Sequence, residues 1–226
     1  MHVDYCFTDN LQFTIYTLFP VTTSLVSSSA VVKCKMGGVF EKMLNVFYTK
    51  KLEVVLVGLE NSGKTTLLQV LSKDTPVETA PTIGLNVKMV KRGGVQMKCW
   101  DLGGQTQYRS EWGRYTRGCN VIVFVVDTNA MHTLPDVKIE LHRLLEDREL
   151  QTTPLLVVAN KIDLTPHATE PELIKALNLD YIIDNPWIII PCSALKNTNV
   201  DEVIQWLIRQ ANGKTHPHPK ESSLIK

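Results

Sequence analysis

Apolar residues gather in short strand-like runs at residues 52–57, 121–127, 155–159 and 187–192, interrupted only by Glu53 and the closing Asp127, with stretches of helical periodicity between them. Runs of this length without polar alternation predict strands covered on both faces. Their alternation with helices predicts an α/β fold, a doubly wound and mostly parallel sheet with helices on both faces. Residues 85–100 lie between the first two runs and carry Gly93-Gly94 at their middle, which predicts two strands joined by a tight hairpin turn. The expected sheet is therefore mixed.

The two ends of the chain follow other patterns. Val39, Phe40, Met43, Leu44, Val46 and Phe47 fall on one arc of a helical wheel, with Glu41, Lys42 and Asn45 opposite. Residues 36–50 are thus expected to hold a short amphipathic helix, whose apolar face either packs on the domain or binds a membrane surface reversibly. Residues 1–35 are rich in Ser, Thr and apolar side chains, with only Asp4 and Asp9 charged before Lys33. They lack the basic start and continuous apolar stretch of a secretion signal, and read as a disordered extension or as the product of a misread start. Residues 212–226 show no periodicity and read as a disordered tail. The expected globular domain is 51–211.

Composition narrows the function. The 24 Lys and Arg residues against 23 Asp and Glu give no overall field that would draw the chain to nucleic acid. Any membrane or partner preference must come from a local segment. The five cysteines are odd in number and form no C-x-x-C pair, which argues against a disulfide scaffold or a zinc site and fits a reducing cytoplasmic compartment.

The strongest local signal is Gly58-Leu59-Glu60-Asn61-Ser62-Gly63-Lys64-Thr65-Thr66, which follows a predicted strand and opens a predicted helix. In that context it is a phosphate-binding loop: backbone amides point at phosphate oxygens, Lys64 reaches the β and γ phosphates, and Thr65 offers a hydroxyl to magnesium. Asn160-Lys161-Ile162-Asp163 comes straight after the strand at 155–159, at the carboxyl edge where open α/β sheets bind ligands. The Asp163 carboxylate can accept from both the ring N–H and the exocyclic amine of guanine, whereas adenine would leave it unpaired at a cost of about 1–3 kcal/mol. Asp101 ends the second hairpin strand and begins Asp101-Leu102-Gly103-Gly104-Gln105, where it can hold a magnesium-bound water, the Gly104 amide can approach a γ phosphate, and Gln105 can position water. Thr82 offers a second magnesium hydroxyl, one that is ordered only with the γ phosphate present. Ser193 and Ala194, after the last strand, are placed to give amides to the guanine oxygen.

Taken in order, G-L-E-N-S-G-K-T-T, P-T-I-G-L-N-V, W-D-L-G-G-Q, N-K-I-D and C-S-A resemble the Arf and Arf-like small GTPases over residues 36–211. Residues 114–120, 140–145 and 205–208 further resemble the Arf-like branch of lysosomes and late endosomes. The resemblance implies six strands ringed by helices, a cycle between bound GTP and GDP with Mg2+, and regulation of membrane or vesicle trafficking. It implies a guanine nucleotide exchange factor, a GTPase-activating protein with an arginine finger, and effectors that read a surface of Leu85, Trp100 and Tyr115. It also implies a cytoplasmic protein held reversibly on endomembranes through the N-terminal helix, at the lysosome or late endosome with the Golgi as the alternative. Two other readings compete, a scaffold that binds GTP without turning it over and a P-loop kinase. Gln105 with both magnesium hydroxyls speaks against the first, and Asp163 with the lack of an Arg-rich lid against the second.

Overall fold

The apolar runs are explained by a sheet with a separate core on each side. The computed structural model describes residues 50–72, 79–80 and 82–213. The expected extension at 1–35, the amphipathic helix before residue 50 and the tail from residue 214 lie outside the described residues.

Six strands, β1 (Lys50–Val57), β2 (Leu85–Arg92), β3 (Val95–Leu102), β4 (Val121–Asp127), β5 (Leu155–Asn160) and β6 (Trp187–Pro191), form one sheet in the order β2-β3-β1-β4-β5-β6. All neighbours pair parallel except β2 with β3, which form the antiparallel hairpin. Side chains alternate along each central strand. On β1, Val54 and Leu56 face one core and Val55 and Val57 the other; on β4, Val121, Val123 and Val125 oppose Ile122, Phe124 and Val126. Each residue of 54–57 and 121–126 is needed on its own side, so no polar position interrupts those stretches; Glu53, ahead of the first, is exposed.

The first core is roofed by α1 (Lys64–Leu71) and α6 (Val200–Ala211), which bury Leu67, Leu68 and Leu71 and Val203, Ile204 and Leu207 respectively. Two short helices, α2 (Thr106–Arg109) and α3 (Trp112–Thr116), precede α4 (Leu134–Leu145) and α5 (Glu170–Ala176) in the chain. The second core takes Trp112 of α3, Val137 and Leu141 of α4 and Leu173 of α5. Helix α4 starts with proline in its first turn, where no amide hydrogen is required. Helix α5 starts with a capping box in which the Thr169 amide donates to the Glu172 carboxylate at 2.8 Å.

Strand ends differ from expectation by a residue or two. One difference matters: β3 runs on through Asp101 to Leu102, with Asp101 in register with Leu56 on β1 and Asn86 on β2. The Asp101 backbone is held by ladders on both sides rather than by a loop, and its side chain is fully buried. Cys99 and Cys192 are buried free thiols, and burial pushes both up to about 12.

Candidate nucleotide-binding site

The carboxyl ends of β1, β3 and β5 and the loop after β6 meet around a cleft of about 600 Å³. At one end lie Glu60, Lys64, Thr65, Thr82 and Gln105; at the other lie Lys161, Asp163 and Ala194. All of the motifs singled out in the sequence therefore converge on one site.

The loop between β1 and α1 is closed tightly on its neighbours. Gly63 has φ 93°, and a Cβ there would run into the Asn160 side-chain nitrogen. Lys64 is buried and its Nζ donates to the carbonyls of Gly58 and Leu59, both at 2.8 Å. Burial lowers its ammonium to about 8 from 10.5, with the Asp101 carboxylate opposing the shift. A phosphate oxygen would be a stronger, charge-assisted acceptor for the same ammonium.

Beside Lys64, three oxygens cluster. Thr65 Oγ1 donates to Asp101 Oδ2 at 2.7 Å and lies 2.8 Å from Thr82 Oγ1, which itself reaches Asp101 Oδ2 at 3.4 Å. The second carboxylate oxygen, Asp101 Oδ1, is buried without a hydrogen-bond partner. Burial raises the Asp101 carboxyl above its ordinary range, against the pull of the Thr65 bond and the Lys64 charge. A buried carboxylate with an orphaned oxygen and two adjoining hydroxyls fits magnesium, which prefers oxygen ligands and takes the rest from water and phosphate. Among the described residues, no group of three His, Cys, Asp or Glu side chains could hold a metal by itself.

At the base end Asn160 is 2% exposed. Its Nδ2 donates to the Ser62 carbonyl at 2.8 Å, and its Oδ1 accepts from the Ala194 amide at 3.0 Å. Both polar ends of the amide are thus engaged by protein, and two loops are pinned to one side chain at the end of β5. Lys161, at φ 70°, donates to Asp127 Oδ2 at 2.7 Å. Asp163 is exposed on the cleft wall. Ser193 is buried, its Oγ accepting from the Lys196 amide at 3.0 Å, and so shapes the turn that presents Ala194. Thr66 Oγ1 lies 3.5 Å from Thr79 Oγ1 on the far rim.

The segment after β3 is held from two sides. Gly104 packs against the Leu59–Glu60 peptide so closely that a Cβ would collide with it. Its carbonyl accepts from the Glu60 amide at 3.1 Å and from Arg109 Nε at 2.9 Å. Arg109 in turn pairs with Glu140 on α4 at 3.4 Å, both side chains largely buried. Trp112 Nε1 donates to the Gly103 carbonyl at 3.0 Å. Gln105 lines the cleft, and its Oε1 accepts from Gln107 Nε2 at 3.4 Å.

Leu85, Trp100 and Tyr115 are half-buried against the second core. The Trp100 and Tyr115 rings lie 6.1 Å apart, and Lys98 Nζ sits 4.1 Å from the Trp100 ring centroid. Nearby on the chain, Ile83 is 82% exposed and Val87 and Met89 about half exposed.

Sequence reasoning missed Asp127, which holds Lys161, and the pair Arg109 and Glu140, which holds Gly104. It also missed the half-exposed Leu164 and Leu195, which give the base end apolar walls. Their only signal was adjacency to the Asp163 and Ala194 motifs.

Comparison with known proteins gives a consistent result. A family model described as the ADP-ribosylation factor family matches residues 36–211. ADP-ribosylation factor-like protein 3 of Caenorhabditis elegans is 38% identical over 159 residues, covering 70% of this chain and 86% of the relative. Among solved structures, the Arl6 BBS3 small GTPase of Trypanosoma brucei, with the bound nucleotide analogue GppNp, superposes with a TM-score of 0.66 at 33% identity, covering 73% of this chain and 99% of that one.

Proposed function

The chain belongs to the ADP-ribosylation factor family of small GTPases, and on that premise we propose that it is a trafficking switch that hydrolyses GTP slowly and recruits effectors in its GTP form. The observation that carries this reading is the cluster of Thr65, Thr82 and Asp101, which joins the phosphate loop to both ends of the β2–β3 hairpin at one point in the cleft.

In this reading Gly58 to Thr66 wrap the phosphates with backbone amides, and Lys64 exchanges its carbonyl partners for β- and γ-phosphate oxygens. Thr65, Thr82 and Asp101 would hold magnesium, which would neutralise charge on the phosphates. Thr82 and the Gly104 amide answer to the γ phosphate. Asp163 selects guanine, with Lys161 held over the base by Asp127 and Asn160 keeping the loops in register. Gln105 orients water toward the γ phosphorus; the new P–O bond forms as the bond to the β-phosphate oxygen breaks, leaving GDP and inorganic phosphate.

The unaided rate is low because, among the described residues, no arginine lines the cleft. Arg109, close by, is committed to Gly104 and Glu140. An activating protein therefore supplies the arginine, worth roughly a thousandfold to a hundred-thousandfold. An exchange factor reloads GTP, and effectors read Leu85, Trp100 and Tyr115.

Among the described residues no helix is long and apolar enough to cross a membrane. Membrane attachment is assigned instead to the amphipathic face of residues 37–48, packed on the domain with GDP and released with GTP. As to the compartment, the resemblance at residues 114–120, 140–145 and 205–208 favours the late endosome and lysosome, a branch that neither relative's name carries.

Competition of GTP and ATP for the cleft in the presence of magnesium tests the reading. GTP should displace a fluorescent guanine nucleotide far more effectively than ATP, and equal displacement would overturn it.

A further inference from the structure

The β2–β3 hairpin ties α1 at both of its ends. At the nucleotide end Thr82, just before β2, meets Thr65 in the first turn of the helix at 2.8 Å. At the far end Arg92, the last residue of β2, donates from Nε to the Leu71 carbonyl at 3.0 Å and from Nη2 to the Val70 carbonyl at 3.2 Å. Carbonyls of a last turn have no partner four residues on, and a guanidinium there also meets the negative end of the helix dipole. The adjoining turn is seated on α6, since a Cβ on Gly93 would come 2.5 Å from Ile208 Cδ1.

This far anchor matters because the strand pattern alone does not set the register of the hairpin. Strand β3 lies parallel on β1 from Lys50 opposite Val95 to Leu56 opposite Asp101. Side chains alternate with a period of two, so a two-residue slide along β1 would keep every side chain on its own face. Such a slide covers about 6–7 Å. It would carry Thr82 away from Thr65 and Arg92 away from Val70 and Leu71 in one movement. What distinguishes the registers is therefore what the two ends of the hairpin touch.

We propose that Arg92 is a positioning residue of the switch: its bonds to the Val70 and Leu71 carbonyls hold the hairpin in the register that presents Thr82 to Thr65 and Asp101, and thereby favour GTP over GDP. The proposal rests on the reading of Thr82 as a γ-phosphate sensor. Arg92 makes no contact with nucleotide in this scheme. It raises the fraction of molecules already in the register that GTP requires, and apparent affinity scales with that fraction.

The test is titration of the full chain with fluorescent GDP and a fluorescent non-hydrolysable GTP analogue, both with magnesium, for wild type, Arg92→Met, Arg92→Lys, Thr82→Ala and the double variant Thr82→Ala/Arg92→Met. Met keeps the aliphatic stem and removes the donors. Arg92→Met is expected to lower the ratio of analogue to GDP affinity roughly tenfold with GDP affinity unchanged. Arg92→Lys, with one ammonium for two carbonyls, should lose part of that. The double variant should show no lower ratio than the weaker single, because Arg92 acts through Thr82. Equal losses for both nucleotides in Arg92→Met would reduce Arg92 to a helix cap and overturn the proposal. If Thr82→Ala lowers the ratio and Arg92→Met does not, the assignment of Arg92 alone is wrong; if Thr82→Ala leaves the ratio unchanged, the sensor reading fails and this proposal with it. Should Arg92→Met not fold, an unchanged ratio in Arg92→Lys overturns the proposal.

Discussion

Asn160 Nδ2 donates to the backbone carbonyl of Ser62 at 2.8 Å, so a side chain at the end of β5 holds the phosphate loop that begins at the end of β1. The other end of the same amide holds Ala194. Asn160→Ala removes both bonds and leaves the Ser62 carbonyl and the Ala194 amide unpartnered in a buried place. The expected cost is about 1–3 kcal/mol of folding stability, with GDP and GTP affinity falling together. Asn160→Asp keeps the acceptor for Ala194 but sets a carboxylate against the Ser62 carbonyl, and should lose at least as much affinity. Thermal unfolding and nucleotide titration of the two variants check this.

Guanine selection is assigned to Asp163, exposed on the cleft wall. Asp163→Asn replaces an acceptor by a donor at the position that meets the exocyclic amine. The variant should lose GTP affinity and gain affinity for xanthosine triphosphate, whose oxygen at that position accepts from the new amide. A parallel titration with the two nucleotides measures the exchange of preference.

The Arg109–Glu140 pair is largely buried, at 12% and 14% side-chain exposure. Removing one partner leaves the other with a weaker one, Glu140 with the exposed Arg143 at 3.8 Å and Arg109 with the Gly104 carbonyl, whereas removing both leaves no charge behind. Glu140→Leu and Arg109→Met alone should each cost about 1–3 kcal/mol, and the double variant less than the sum of the two. Because Arg109 also donates to the Gly104 carbonyl, Arg109→Met should weaken GTP-analogue binding more than GDP binding. Denaturant unfolding with a double-mutant cycle gives the first result, and competitive titration the second.

The parallel sheet was legible because a strand covered on both faces has to be apolar at every position, as β4 is from Val121 to Val126. The phosphate loop was legible because Gly58, Gly63 and Lys64 must stand at fixed spacing where a strand turns into a helix. Lys161 with Asp127, Arg109 with Glu140 and Arg92 with the end of α1 were not legible. Each joins residues far apart in sequence, and a single polar side chain carries no periodicity to announce its partner. Asp101 was expected at the end of its strand and lies within the ladder, because β3 stays paired with β1 and β2 through that position.

Membrane attachment through residues 37–48 is tested by liposome sedimentation of the chain loaded with GDP or a non-hydrolysable GTP analogue. The analogue-loaded form should sediment and the GDP form should not. Each fully buried apolar side chain contributes about 1.5–3 kcal/mol, so Phe40→Ala/Phe47→Ala should abolish the difference. Equal sedimentation of both loadings would show that this segment does not respond to nucleotide.

The central claim is that the γ phosphate changes the shape of the β2–β3 hairpin and the segment after it. Two tryptophans report on that region, Trp100 packed near Tyr115 and Trp112 bonded to the Gly103 carbonyl. The most direct measurement is tryptophan fluorescence followed in time after loading GTP with magnesium, in wild type and in Gln105→Leu. The account predicts a change on exchange of GDP for GTP that decays slowly in wild type as phosphate is released and persists in Gln105→Leu. Identical spectra with GDP and GTP, or decay at the wild-type rate in Gln105→Leu, would contradict it.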